Sequence, residues 1–499
     1  MAINCQTLNV FQLGIGFFFV FLAFNSQGFI EESVLDSFVS QGVVKRHDGY
    51  TSLAIIYASF TILNIAAAPI VGILGTRLSL FFGACTYGLF QAGFLFLNRW
   101  YLFGSSALLG LGAAVIWTAQ GKYLALNSQP ETAGKHSGLF WALSQACQIC
   151  GGVFLLIVFL IHAHQNPEEQ FHHFGGSFAP STVKLLYAVF TGVTILGALI
   201  LGLLPLNRSN NIVNSNRRSG EDSPSPSELL DPINPPFPGQ TEANNNNNVN
   251  FGSNESIMTS LWFMIKSTFN LSKTFKMALL IFPFMYTGLV QSFWSSIYPT
   301  SIANTQLFQI NQGIDPKVLL ALIVIIQGIG QSSAGLLFGI LGARTAKILD
   351  RSKIILIGSF LQLLAYFAIF SSIPGDASLG KTLEEGFLIS PNIFSKIWLA
   401  LLSGFLISFG DSCWNTQIFA FLISNYSQQQ SASAFSLFKF YQSLLTFFAF
   451  FYASLLSLHW HLLFLFIGSL FALSSFIFVE RKCLQQQTTI NVEQQHDIN

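Results

Sequence analysis

Charge is scarce in this sequence: Asp, Glu, Lys and Arg make up 9% of 499 residues, against roughly 25% in an ordinary soluble domain. A soluble fold of this length cannot cover its surface with so few charges, so lipid must be the solvent for much of it. An imbalance of sign is missing too. The 23 basic and 22 acidic residues leave a formal charge of +1, which gives no reason to expect nucleic acid as a partner. Cysteine is sparse, six in all, and none lies in a predicted outer loop. Cys5 and Cys483 sit in the tails, while Cys85, Cys147, Cys150 and Cys413 fall inside apolar segments, so no disulfide framework is implied. Cys147 and Cys150 have redox-motif spacing, yet within a hydrophobic helix they read as packing residues. The first apolar run lacks a basic leader and is too long for a signal core, so it reads as a retained membrane helix. No nucleotide-binding loop, metal-ligand cluster or nucleophile–base arrangement appears. No cofactor and no metal are expected, and enzymatic function is disfavoured.

Apolar length, by contrast, is abundant. Hydrophobic residues make up 52% of the chain, and phenylalanine alone occupies 53 positions. A spanning helix needs about 20 apolar residues. Such runs recur at 8–30, 50–74, 78–97, 101–127, 137–162, 181–206, 277–303, 316–341, 353–373, 397–422, 432–456 and 458–479. Between the sixth and the seventh, Ser, Pro and Asn dominate, with five consecutive Asn at 244–248. That stretch cannot bury enough apolar surface to order itself. The expected organisation is a six-helix bundle over 1–206, a disordered cytosolic linker over 207–256, a second six-helix bundle with a preceding interfacial segment over 257–480, and a cytosolic tail over 481–499.

Orientation follows from the basic residues. With the N-terminus in the cytosol, fifteen of the 23 Lys and Arg lie on the inner side and seven on the outer, leaving Lys439 at membrane depth. Both termini are therefore predicted cytosolic. The sequons at Asn207, Asn254, Asn270 and Asn425 then face the cytosol, where glycan is not added.

The two halves share sequence. Residues 72–77 read GILGTR and residues 339–344 read GILGAR, and the same offset aligns Asn64 with Gln331. Further on, Trp117 and Gln120 match Trp414 and Gln417, and Gln145 matches Gln442, after an insertion expected in an outer loop at about 374–396. Parallel repeats related by an axis along the membrane normal describe the two halves of major facilitator transporters. The fold class expected is thus an all-α polytopic membrane protein of that superfamily, with twelve transmembrane helices in two six-helix pseudo-repeats. Gly72, Gly75, Gly339 and Gly342 permit tight turns and close backbone approach. Arg77 and Arg344 can meet helix C-terminal carbonyls or lipid phosphate. Many facilitator transporters also carry an acidic residue in this turn, but here no Asp lies between Gly75 and Arg77.

Several strings in order resemble the uncoordinated-93-like family: GYTSLAIIY at 49–57, WTAQG at 117–121, SGLFWAL at 137–143, GDSCWNTQ at 410–417, FKFYQS at 438–443 and LHWHLL at 458–463. The resemblance runs through nearly all the helical regions and implies a multi-pass membrane protein of facilitator fold. It implies no substrate. The better-studied relatives act as potassium-channel regulators or as trafficking partners of innate immune receptors.

Ionisable residues at membrane depth are functional candidates by default. Asp411 lies mid-span in the tenth helix and Lys439 some way into the eleventh, at depths that differ by about 6 Å on a rise of roughly 1.5 Å per residue. Three readings stay open: an intramembrane ion pair of Asp411 with Lys439 that fixes helix register, a protonatable coupling site at Asp411, or an unpaired Asp411 facing a wet cavity. Asn415 shares a helical face with Asp411. By resemblance to facilitator folds, the first, fourth, seventh and tenth helices line a central cavity. Its polar residues here are Asn25, Thr118, Gln120, Gln291, Asp411, Asn415 and Gln417, and its aromatic walls are Trp117, Tyr286, Trp294 and Trp414. The alternative for each Gln is an ordinary inter-helix hydrogen bond. The outer histidines His162, His164, His172 and His173, and the acids Glu31, Glu32, Asp36 and Asp48, read as solvated loop residues. Residues 257–276 mix apolar groups with Lys266, Lys273 and Lys276, as an interfacial helix drawn to anionic inner-leaflet lipid would. Two functional classes follow. One is a secondary transporter of a small neutral or cationic solute, its identity unknown, through a central cavity. The other is a non-transporting regulatory or trafficking partner of another membrane protein, such as an ion channel or receptor.

Overall fold

The computed structural model describes residues 4–39, 42–45, 48–165, 180–205, 254–308, 316–345, 350–386, 393–453 and 455–496. His172, His173 and most of the 207–256 linker lie outside the described residues, as do the side chains of Glu32, Asp36, His162, His164 and Arg344. Thirteen α-helices are described: α1 (Cys5–Val39), α2 (Asp48–Ala92), α3 (Arg99–Leu126), α4 (Ala133–Gln165), α5 (Pro180–Gly202), α6 (Asn254–Ser272), α7 (Phe275–Ser292), α8 (Tyr298–Asn304), α9 (Pro316–Thr345), α10 (Arg351–Ser372), α11 (Ile393–Asn425), α12 (Ser431–Ala453) and α13 (Leu458–His496).

Among the described residues, eleven stretches are long and apolar enough to cross a membrane, and one of them, Thr51–Phe96, is 46 residues long. At 1.5 Å per residue that is about 69 Å, more than twice a hydrocarbon core of about 30 Å. It is two crossings. Gly75 breaks α2 with φ 75° and ψ 162°, a left-handed φ that glycine adopts at no steric cost. Counted this way, twelve crossings stand in two sets of six on either side of α6. The second copy of the repeated string behaves differently: Gly342 stays within α9, which continues to Thr345, and α10 begins at Arg351. The turn expected at Gly342 is therefore displaced toward the helix end.

The seventh crossing is composite. α7 gives way to one π turn, Phe293–Ile297, and α8 follows with Pro299 in its first turn. A π turn frees a carbonyl from the regular ladder, and the Trp294 carbonyl accepts from Gln327 Nε2 of α9 at 2.9 Å. The long loop of the second half folds back as a short 3-10 turn, Gly375–Ser378, with a single parallel bridge between Thr305 and Thr382.

The first outer loop is less solvated than expected. α1 runs on to Val39, and Glu31 on it is buried, accepting from Gln27 Nε2 at 3.4 Å. Asp48 is buried as well. Its carboxylate accepts from Arg99 Nε at 2.8 Å, from Arg99 Nη2 at 3.1 Å and from the Lys45 backbone N–H at 2.8 Å. Burial pushes the Asp48 carboxyl up, but the Arg99 hydrogen bonds, the Lys45 N–H and both positive charges outweigh it and hold it below the ordinary 3.8. A carboxyl lowered by folding stabilises the fold above its unfolded value, and that contribution is lost as pH falls through the folded value. The thermal midpoint of the purified protein should therefore drop on acidification below pH 3.8, and Arg99→Gln should shrink that drop. An equal drop in both proteins would remove the pair as its cause.

The two most extensive helix pairs between the halves are α4 with α9 and α2 with α12, and α3 with α12 and α4 with α11 add to them. The first is a backbone seam. A Cβ on Gly138 would lie 2.5 Å from Gly339 N and 2.6 Å from Gly335 O, and one on Gly335 would lie 2.7 Å from Ala142 N. Farther along, a Cβ on Gly328 would meet Ile149 N at 2.8 Å and one on Gly152 would meet Ile325 N at 3.0 Å. Small residues let helices approach in this way where lipid provides no hydrophobic drive. At the second pair, Thr61 Oγ1 and Asn64 Nδ2 of α2 donate to Ser443 Oγ of α12 at 3.1 and 3.3 Å.

Candidate functional site

The halves meet around Lys439. Its ammonium lies 4.3 Å from the ring centroid of Trp117 in the first half, 4.7 Å from Phe438 and 5.6 Å from Phe419. It donates to Gln442 Oε1 at 2.7 Å, and Gln442 Nε2 passes the chain on to Thr287 Oγ1 at 3.2 Å. Lys439 is 4% exposed, so this cage substitutes for water. Ring faces carry negative potential, and a desolvated cation over one gains about 2 kcal/mol or more.

Asp411 is 2% exposed and has other partners. Asn415 Nδ2, one helical turn on, donates to its Oδ1 at 2.9 Å and to its backbone oxygen at 3.0 Å. The Trp294 N–H lies beside the carboxylate without closing a hydrogen bond. The direct ion pair expected between Asp411 and Lys439 is not formed: Lys439 turns to Gln442 and the aromatic rings instead. Its charge still acts on Asp411 through the protein.

Around this centre the expected residues separate into groups. Trp414 is fully buried with its ring 5.4 Å from Tyr286, and the Tyr286 hydroxyl donates to Gln362 Oε1 at 2.7 Å and lies 3.1 Å from the Tyr366 hydroxyl. Gln417 turns to its own helix, with a long 3.4 Å contact to Thr416 Oγ1. Asn25 leaves the centre to donate to Cys147 Sγ at 3.6 Å. Gln291 is half-buried. Gln120 is fully buried, and both of its amide atoms lack a hydrogen-bond partner, as do Thr118 Oγ1, Trp414 Nε1 and both amide atoms of Gln331.

Asn25, Trp117, Gln291 and Trp294, expected on the cavity, are each part-exposed, and other side chains of the two halves pack directly on one another. Gly121 faces the Phe435 ring, and Phe419 stacks on Phe140 and lies tilted against Trp141 across the halves. Among the described residues, two small hollows lie away from Lys439; one, with room for about one water at ≈ 10 Å³, is lined by Leu289, Ser292, Phe293, Tyr452 and His461.

Sequence reasoning missed Gln442, Phe419, Phe438, Gln362 and Tyr366 as members of this site. Gln442 had a signal, since it lies three residues after Lys439 on the same helical face. The rings and Gln362 had none, because their roles depend on which helices adjoin.

The comparisons agree with this architecture. A family model described as "Ion channel regulatory protein UNC-93" matches residues 40–477. The chain is similar to "UNC93-like protein MFSD11" of Xenopus tropicalis, 33% identical over 475 residues that cover 95% of this chain and 96% of the relative. It is similar at 23% identity to "Protein unc-93 homolog A" of Bos taurus, over 82% of this chain and 79% of that one. Among solved structures, it resembles the major facilitator superfamily transporter FucP in its outward conformation, with a TM-score of 0.56 at 12% identity over 95% of this chain and 99% of that one. The proton:xylose symporter XylE gives a TM-score of 0.55 at 15% identity, over 95% and 94%. At such identities the likeness concerns the fold.

Proposed function

This chain belongs to the UNC-93 family, and from that premise we propose that it is a secondary transporter that moves a small neutral or cationic solute between its halves. The observation that carries the reading is a set of buried polar atoms without a hydrogen-bond partner among the described residues: both amide atoms of Gln120 with Thr118 Oγ1, on the helix whose Trp117 caps Lys439, and the indole N–H of Trp294 beside Asp411. Leaving such a group unpaired costs about 1–3 kcal/mol. A carrier gives them partners in another state of its cycle, when water or solute stands where side chains now meet. Aromatic walls and the Asp411 carboxylate favour a neutral or cationic solute. The two six-helix halves act as the moving bodies, with the linker and both termini in the cytosol. A glycan on Asn270 or Asn425 would reverse that orientation.

A second reading has its own support. The glycine seam between α4 and α9 suits a rigid scaffold, and the matching family model is described as an ion channel regulator. The chain would then be a non-transporting regulatory or trafficking subunit of another membrane protein, such as a channel or receptor.

Access to the centre separates the two. In a background with the native cysteines replaced, Thr118→Cys in sealed vesicles should react with a membrane-impermeant thiol reagent added to either side. If it reacts from neither side while a surface cysteine reacts normally, alternating access fails and the scaffold reading stands.

A further inference from the structure

The helix between the two bundles presents two opposite faces with different chemistry. On α6, Met264, Thr268 and Leu271 recur at i, i+4 and i+7 and turn toward the protein, while Trp262, Lys266 and Phe269 recur at i, i+4 and i+7 on the other side, with Lys273 in the turn just after the helix. The inner face touches both halves. Met264 Sδ sits 3.2 Å from the position a Cβ on Gly72 of α2 would take. Thr268 Oγ1 lies 2.8 Å from Ser433 Oγ of α12. The outer face remains open: Trp262 is 68% and Phe269 61% exposed.

That outer stripe alternates large aromatic rings with lysines, and the Lys273 ammonium lies 4.5 Å over the Phe269 ring. The same pairing continues beyond the helix, where Lys482 of α13 lies 4.2 Å over Phe275. No acidic residue occurs from 256 to 314, so nothing in this stretch of chain neutralises the lysines. Aromatic rings that partition into the acyl boundary, beside ammonium groups at headgroup height, complement a membrane surface of negative charge. A protein partner would need an acidic apolar groove; a bilayer already lies beside this helix.

We propose that α6 binds anionic phospholipid headgroups through Lys266 and Lys273, and that this binding seats the helix across the ends of α2 and α12. Lipid charge thereby sets how firmly the two halves are held together on the linker side. The proposal is independent of whether the protein carries a solute.

The test uses the full-length protein with phosphatidylserine and phosphatidylcholine as probes. Native mass spectrometry should show phosphatidylserine retained over phosphatidylcholine. Retention should fall about fivefold for each lysine reversed in K266E/K273E and persist in K266R/K273R. Separately, a Gly72→Cys/Met264→Cys pair should cross-link severalfold more in phosphatidylcholine vesicles that contain about 30 mol% phosphatidylserine than in phosphatidylcholine alone. Unchanged retention in K266E/K273E overturns the site. Cross-linking that ignores lipid charge overturns the seating. Displacement of the retained lipid by free glycerophosphoserine would mark a site for soluble phosphate esters and overturn the membrane as its partner. The two vesicle compositions act on one and the same protein, so that comparison stands even if K266E/K273E folds poorly.

Discussion

Lys439→Met is expected to destabilise the protein by about 3 kcal/mol, in the range seen when one of two buried opposite charges is removed, and Asp411→Asn in the same chain should recover much of that loss. The argument begins with burial. Asp411 is 2% exposed, and its contacts are the Asn415 amide and the adjacent Trp294 N–H, both neutral. Lys439 supplies the nearby positive charge without touching it. Methionine keeps the length of the lysine side chain and much of its contact with Trp117 and Phe438, so loss of packing is not the main effect. What remains is a buried carboxylate without its balancing charge and a Gln442 Oε1 without its donor. Neutralising Asp411 as well removes the larger of these. The check is a double-mutant cycle on thermal unfolding in detergent. If the double replacement costs as much as the two singles summed, the two charges do not sense each other. A companion cycle isolates the cage: Trp117→Leu should cost about 2 kcal/mol more beside Lys439 than in the Lys439→Met background.

Gly138→Ala and Gly134→Ala should have opposite signs, although they lie one helical turn apart on α4. Alanine removes the backbone freedom that glycine retains in the unfolded chain, and in a helix this normally stabilises by about 0.5–1 kcal/mol. Nothing lies within 4 Å of a Cβ on Gly134, so that gain should be realised there. On Gly138 the new methyl would sit 2.5 Å from Gly339 N and 2.6 Å from Gly335 O. Both are backbone atoms, which cannot swing aside as a side-chain tip does. The helices must part, and overpacking of this kind costs about 1–3 kcal/mol or more. Thermal unfolding of the two variants in the same detergent decides the matter. Equal, mildly stabilising effects would mean that the seam is looser than these distances state.

Local pattern carried most of the fold. The apolar runs, the polar stretch between the sixth and seventh, and the repeated GILGTR and GILGAR strings are all visible along the chain, and they yield twelve crossings in two sets. Contacts within one helix were equally legible: the Asn415 bond to Asp411 follows from i,i+4 spacing. The partner of Lys439 was not. Rise per residue places Asp411 and Lys439 at similar heights but says nothing of which way each helix face turns, and rotation about the axis sends the ammonium to Trp117 instead. The repeated string shows the same limit, for Gly75 takes a left-handed φ while Gly342 remains helical in a nearly identical sequence. Neither the π turn at Phe293–Ile297 nor the continuation of α1 past Glu31 is marked by any residue that breaks a periodicity.

At the offset that matches Trp117 with Trp414, Lys439 corresponds to Ala142. The backbone nitrogen of Ala142 lies in the glycine seam, 2.7 Å from where a Cβ on Gly335 would stand. Two positions that the repeated strings align answer to different constraints. Change at 142 is limited by volume between helices, and change at 439 by the charge balance with Asp411 and by the rings that surround it. Neither can take up the other's role without a change in its own surroundings, so the two halves are no longer interchangeable at this pair.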